Sequence, residues 1–442
     1  EKPEVKKAGG VFYTPTYIVD YIVRQTVGAL LEGKTPKQAE KLRLCDPACG
    51  SGSFLIGAFQ HLLDWHLKWY AENEPQKHAS GKNPKLRQSH DGWRLTVAER
   101  KRILINNIYG VDIDAQAVEV TKLSLLLKVL EGETGETLGL AQMKLFHERA
   151  LPNLDANILC GNSLIGTDFY DGRLDLDEEE RRRINAFDWE AGFPHIFPSP
   201  SGRGARGEGS GFDAVIGNPP YIRIQTLKEW APLEVEHYKT AYRAASRGNY
   251  DIYAVFVERG LQLLNKQGRL GLILPHKFFN AEYGEPLRGL IAEGKHLADV
   301  VHFGHQQIFG QATTYTCLLF LNKAATNVCR FTRVNDLDAF ASGIPNDDAH
   351  DLPAQGVTAA AWNFAEGEAG ALFERLMGMP TKLGSVAHIF VGLQTSADKV
   401  YVLQALGPAK SGKLPVRDAE GVEWNLEADL LKPFLFKVSL QS

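Results

Sequence analysis

Three short stretches carry residue types and spacings suited to chemistry. The first is Asp46-Pro47-Ala48-Cys49-Gly50-Ser51-Gly52-Ser53-Phe54, where an acidic residue precedes two glycines and then an apolar run. Glycines let a backbone approach a ligand closely, and the helix that follows offers unpaired N–H groups, so this turn can cradle a nucleotide-like molecule. No Lys follows the second glycine, so nothing there would hold a triphosphate. The second stretch is Gly110-Val111-Asp112-Ile113-Asp114. A carboxylate at a strand tip can take both hydroxyls of a ribose, and a ribose site without a phosphate clamp points to S-adenosylmethionine rather than NAD or ATP. The third is Asn218-Pro219-Pro220-Tyr221, which ends an apolar run. Its prolines stiffen the chain and remove two N–H donors, leaving an acceptor-rich turn. The Asn218 side-chain oxygen and the Pro219 carbonyl can accept from an exocyclic amine, and Tyr221 can stack on a planar ring. A merely structural turn is the competing reading of the first and third stretches.

The elements that must position these residues follow from pattern. Apolar residues at helical spacing over Tyr17 to Leu31, after Thr14-Pro15-Thr16, predict a helix with Thr14 near its cap and Pro15 in its first turn. Lys41 to Cys45 predicts a strand feeding the glycine turn and a second helix. A polar stretch with Pro75, Gly81, Pro84 and Gly92 predicts an exposed inserted loop over about 71–95. A charged helix is expected over Thr96 to Asn106, a strand over Ile108 to Asp114, a helix over Ala115 to Leu130 and a strand over Asn157 to Cys160. Pro-, Ser- and Gly-rich residues predict a second inserted loop over about 190–211. Strands at 212–217, 269–274, 300–303 and 316–321 and a helix at 252–264 complete the pattern. Strands alternating with helices imply an α/β fold with a mostly parallel sheet.

Composition narrows the class. The chain has 442 residues, 44% of them hydrophobic and 23% charged, which is ordinary globular usage and argues against disordered or collagen-like chains. No stretch reaches the apolar length of a membrane span, and the N-terminus lacks a signal-peptide core, so a cytoplasmic protein without a membrane partner is expected. Cysteines 45, 49, 160, 317 and 329 form no Cys-x-x-Cys pair, which predicts reduced thiols and no metal. A formal charge of −4 means that any DNA-binding charge must be local. Arg223, Lys228, Lys239, Arg243 and Arg247, interleaved with Tyr238 and Tyr242, are a candidate phosphate surface or, as readily, a solvated helix face. The chain begins with Glu1 rather than Met, which reads as a fragment.

In their order, these stretches resemble the N6-adenine DNA methyltransferases, particularly the γ class, in which cofactor motifs precede the catalytic motif and target recognition is C-terminal. The resemblance runs over roughly 9–325 and implies a Rossmann-like S-adenosylmethionine-dependent methyltransferase acting on double-stranded DNA. It implies cofactor contacts at Tyr13, Thr14 and Pro15, which begin the helix closing over the methionine part. It implies others at Asp46, Ala48, Gly50, Gly52, Ser53 and Phe54, at Asp112 and Ile113 beside the ribose, at Asn162 and Ser163 beside the adenine, and at Asn218. Relatives often carry Asp where Asn162 stands. Asn218, Pro219, Pro220 and Tyr221 correspond to the catalytic motif, and Phe309, in His305-Gln306-Gln307-Ile308-Phe309, to an aromatic contact on an extruded base. Leu383 onward resembles the start of the recognition domain of fused, type IIG-like restriction-modification enzymes. The expected organisation is thus a methyltransferase domain over 1–325, a connecting region over 326–380 and the beginning of an α+β recognition domain over 381–442. The fused architecture leaves room for a nuclease region before Glu1. Protein glutamine methylation, RNA methylation and a non-catalytic DNA-specificity role remain competing readings.

Overall fold

The computed structural model describes residues 13–133, 152–173, 176–198, 210–309, 315–344, 348–364, parts of 370–387, and 401–432. Nine strands form one sheet in the order β11-β10-β8-β9-β7-β6-β1-β4-β5. They are β1 (Leu44–Asp46), β4 (Ile108–Asp112), β5 (Ile158–Cys160), β6 (Phe212–Gly217), β7 (Leu264–Pro275), β8 (Leu297–His302), β9 (Thr316–Asn322), β10 (Val328–Arg333) and β11 (Ala349–Pro353). The run β5-β4-β1-β6-β7 is parallel throughout. β9 is antiparallel to both β7 and β8, so the sheet is mixed but mostly parallel.

Helices cover both faces, which is why the strands read as near-continuous apolar runs. In β7, Leu270, Leu272 and Leu274 point into one core with Cys45, Val215 and Leu319, while Ile273 points into the other with Leu44, Ile216 and Phe320. The second core is closed by α1 (Thr16–Val23), α2 (Ser53–Glu72), α3 (Val97–Asn107) and α4 (Ala115–Leu130). Gly271 lets α1 and the turn after it lie against the sheet, since a Cβ there would stand 3.0 Å from Ile22 Cγ2 and 2.6 Å from Thr26 Cγ2. The first core is covered by α7 (Tyr253–Leu263) and α8 (Glu285–Glu293), while α5 (Ile224–Trp230) and α6 (Pro232–Ala241) follow the third chemical stretch.

Five expectations need correction. The helix at Thr16 continues through a π-turn at Arg24–Gly28, and its N-cap is Pro15 without a side-chain cap, so Thr14 is not the capping residue. Residues 71–95 are not an open loop: β2 (Leu86–Ser89) and β3 (Gly92–Leu95) form a hairpin that buries Leu86 and Leu95. Its base is fixed by Lys85 Nζ, 3.0 Å from the buried Glu99, and by Thr96 Oγ1 donating to Pro84 O at 2.9 Å. The stretch from Trp189 to Phe197 is also packed, with Trp189, Phe193 and Phe197 edge-on about Phe212. The sheet does not stop at residue 325, because β10 and β11 extend it and Trp362 packs on Phe279; the first compact unit runs to Phe364. Finally, the alternation Val400-Tyr401-Val402-Leu403 suggests a β-rich continuation, yet Tyr401 to Leu403 is not a strand.

The second unit, Ala365–Ser442, contains a three-stranded antiparallel sheet of β12 (Gln404–Ala405), β13 (Lys413–Arg417) and β14 (Glu423–Glu427). The recognition-like residues 388–400 lie outside the described residues. Among the described residues no helix is long and apolar enough to cross a membrane, and no group of three His, Cys, Asp or Glu is placed to hold a metal. All five cysteines are free thiols, and only Cys160 is exposed.

Candidate active site

The glycine turn is shaped by its neighbours. Gly50 and Gly52 adopt φ +52° and +85°, left-handed conformations that a side chain disfavours. Cys49 N–H donates to Val111 O at 3.1 Å, Gly50 N–H to Asp112 Oδ2 at 2.8 Å, and Thr121 Oγ1 to Gly50 O at 2.8 Å. These bonds tie the turn after β1 to β4 and α4. Asp112 Oδ1 also accepts from Asp114 N–H at 2.9 Å, so its carboxylate is oriented from both sides, and each oxygen keeps a second lone pair for a ligand. The Ser163 hydroxyl donates to Pro47 O at 2.5 Å and bridges the β5 loop to the glycine turn. Asn162 Oδ1 accepts from Leu164 N–H at 3.0 Å.

Asp46 is 2% exposed and accepts from Ala48 N–H at 3.0 Å. Its carboxyl is pushed up to about 8, chiefly by burial; the Ala48 N–H opposes the shift and the Asp112 charge adds to it. A carboxyl whose pKa is higher folded than unfolded holds its proton more tightly in the folded state. Its contribution to stability therefore falls as pH rises from the ordinary Asp value, about 4, toward 8. Asp46→Asn is expected to flatten that fall by up to about 1.4 kcal/mol per pH unit, measured by urea unfolding at pH 5 and pH 8. Parallel stability profiles for the two proteins would contradict the shift.

The Asn218 turn meets this acidic end of the sheet. Gly217 has φ +156°, and a Cβ there would stand 2.6 Å from Asp46 Oδ1, so the strand ends of β1 and β6 are in contact only because the residue is glycine. Asn218 Nδ2 donates to Thr14 Oγ1 at 3.1 Å across 204 residues of sequence. A cavity of about 920 Å³ opens above these strand ends. Its wall includes Tyr13, Thr14, Asp46, Ala48, Gly50, Ser53, Phe54, Asp112, Ile113, Asn162, Ser163, Asn218 and Pro220. That volume lies within the range of small-molecule sites. Gly50 faces open space, with no protein atom within 4 Å of where its Cβ would be. An open backbone turn, the fixed Asp112 carboxylate and the apolar Ile113 and Phe256 suit a nucleoside, so the residues fit S-adenosylmethionine.

Five expected site residues do not line this cavity. Pro15 caps α1, Gly52 packs on Thr121, and the Pro219 ring is buried. Tyr221 donates from its hydroxyl to Ile273 O at 3.1 Å and meets Phe309 edge-on at 6.4 Å, so these two rings form a separate aromatic pair next to the turn. Conversely, Leu227, Trp230, Glu234 and Tyr238 from α5 and α6 line the cavity, although none of them belongs to a chemical motif of the sequence. The signal was present: Val235, Tyr238 and Tyr242 repeat at helical spacing, and all three are buried.

The candidate phosphate surface changes accordingly. Arg243 forms a two-pronged pair with Glu293 at 2.5 and 2.6 Å, and Arg247 pairs with Glu282 and Glu285. Exposed pairs of this kind add little to stability, but they cancel the local positive field. With Tyr238 and Tyr242 buried, this face matches the solvated-helix reading.

A family model described as the Eco57I restriction-modification methylase matches residues 106–309, and one described as an N-6 DNA methylase matches residues 2–148. The chain is 33% identical over 432 residues to the type II restriction enzyme and methyltransferase RM.Eco57I of Escherichia coli, covering 96% of this chain and 39% of that relative. It is 30% identical over 224 residues to the type II methyltransferase M.PaeR7I of Pseudomonas aeruginosa, covering 46% of this chain and 38% of that relative. The chain thus spans less than two fifths of either relative. A solved structure of a nuclease-deletion mutant of the type ISP restriction-modification enzyme LlaGI, in complex with a DNA substrate mimic, aligns over 81% of this chain and 27% of that one. The TM-score is 0.51 at 14% identity, which shows a shared fold. By sequence, the chain is homologous to N-6 DNA methylases and to the methyltransferases of fused restriction-modification enzymes such as RM.Eco57I.

Proposed function

We propose that this chain is the methyl-transferring part of a site-specific DNA adenine methyltransferase of the γ class, serving a restriction-modification or phage-defence protein. The observation that carries the proposal is the meeting of Asn218 with the glycine turn and Asp112 in the wall of one cavity. S-adenosylmethionine, when bound, supplies a methyl group made electrophilic by its sulfonium. Gly50, Asp112, Ile113 and Asn162 would hold its nucleoside, and Asp46, Ser53, Phe54 and Tyr13 would surround the rest.

Adenine N6 is a poor nucleophile because its lone pair is delocalised into the ring. Acceptors at Asn218 Oδ1 and the Pro219 carbonyl favour a more tetrahedral nitrogen and stabilise the positive charge that develops on it. Because Nδ2 donates to Thr14, the amide orientation that presents Oδ1 is set before substrate arrives. N6 is engaged within the duplex, so the base must leave the stack, and Tyr221 with Phe309 would hold it. The unit from Ala365 would begin the recognition region, with further recognition and nuclease regions elsewhere in the full-length chain.

Incubating the full-length protein with labelled cofactor and unmethylated DNA, RNA and protein tests the substrate class. Label is expected in DNA alone. Label confined to protein would favour glutamine methylation, which the same Asn-Pro-Pro-Tyr turn could serve, and label confined to RNA would overturn the proposal equally.

A further inference from the structure

A second group of side chains adjoins the catalytic turn on the side away from the cofactor loops. β6 pairs with β7 through Gly217 and Leu272, and the Tyr221 hydroxyl bonds to Ile273, so the turn lies directly over the end of β7. His276 and Lys277 follow that end. His276 N–H donates to Tyr315 O at 3.3 Å, and the two rings stack at 6.3 Å with 26° between their planes. Tyr315 is 42% exposed and also meets His305 edge-on at 5.4 Å. His305 belongs to the segment that carries Phe309, the ring beside Tyr221.

Charge gathers along the same edge. Arg223, two residues past Tyr221, bridges the backbone at Asp251, and both Arg223 and Lys277 are exposed and act electrostatically on the Asp251 carboxyl. Burial raises that carboxyl above the ordinary carboxylate range, and even fully charged it offsets only one of the two cations. Arg243 and Arg247 are tied to glutamates, whereas Arg223 and Lys277 have no ion pair among the described residues. Burial likewise lowers His276, which keeps its ring neutral at pH 7 and suited to stacking. The edge therefore offers net positive charge beside an exposed aromatic face, the combination that binds an unpaired nucleic-acid strand.

We infer that Arg223 and Lys277 contact the phosphates flanking the target adenine and that Tyr315, backed by His276, receives the face of a base in the strand opened by extrusion, an assignment that rests on the DNA reading above. The expected experiment is equilibrium binding of the full-length protein to unmethylated duplex across a salt series. Each phosphate contact contributes about 0.9 to the slope of log affinity against log salt, so Arg223→Ala with Lys277→Ala should reduce the slope by about 2. Lys277→Arg should restore part of it. Tyr315→Leu should weaken binding about tenfold with the slope unchanged. Arg243→Ala with Arg247→Ala should leave both affinity and slope as they were. Cofactor binding, measured by calorimetry, should be equal in all variants.

An unchanged slope in the Arg223/Lys277 variant, or a reduced one in the Arg243/Arg247 variant, would overturn this assignment alone. Methyl label that enters only protein would instead overturn the DNA reading beneath it.

Discussion

Asn218→Ala is expected to lower the rate of methyl transfer by about 10²–10³-fold while leaving the cofactor dissociation constant within a few-fold of its original value. The alanine keeps the β6 end intact, because the contact with Asp46 is made by Gly217 and not by Asn218. It removes the one side-chain acceptor that the turn places in the cavity wall. The loss should therefore appear in kcat, since an acceptor that strengthens as charge develops on nitrogen acts in the transition state. Thr14→Val provides a graded companion. It removes only the oxygen that accepts from Asn218 Nδ2, so kcat should fall by about tenfold and Thr14→Ser should restore it. Full single-turnover activity in Asn218→Ala would remove the turn from the chemistry.

Gly50→Val is expected to weaken cofactor binding by at least about 100-fold with a smaller effect on folding. Two features separate this position from Gly52. At Gly52 an added Cβ would lie 2.9 Å from Thr121 Cγ2, so substitution there disturbs the packing of α4 against the turn. At Gly50 the added atom meets no protein, and the cost to the fold is the left-handed backbone, roughly 1–2 kcal/mol. The branched side chain would instead occupy the cavity beside Asp112. Calorimetric titration of S-adenosylmethionine checks this, and an unchanged affinity would place the cofactor elsewhere.

Much of this site could be read from sequence because its parts are local. A glycine turn, an acidic strand tip and an Asn-Pro-Pro-Tyr turn are each contained within a few residues, and β1, β4 and β6 bring them side by side as parallel strands must. What escaped was non-local or disguised by composition. The Thr14–Asn218 bond joins residues with no sequence relation, and the same Thr-Pro order reads as a helix cap when taken alone. The 86–95 hairpin sits among prolines and glycines that signal a loop, yet Leu86 and Leu95 face inward and Glu99 anchors its base. The aromatic residues between Trp189 and Phe197 were overshadowed by the Pro- and Gly-rich residues after them. Beyond residue 325, short strands in polar surroundings gave no hint that β10 would pair in parallel with β8. Charge was the least readable property, since the sequence of Arg243 and Arg247 does not reveal that Glu282, Glu285 and Glu293 fold back onto them.

The central claim is that the cavity and the Asn218 turn deliver methyl groups to adenine N6 in DNA. The direct measurement is nucleoside analysis by mass spectrometry of unmethylated DNA treated with the full-length protein and isotopically labelled S-adenosylmethionine. The predicted result is labelled N6-methyldeoxyadenosine at a single recurrent sequence, absent with Asn218→Ala. Label on cytosine, or N6-methyladenine formed undiminished by the Asn218 variant, would contradict the claim.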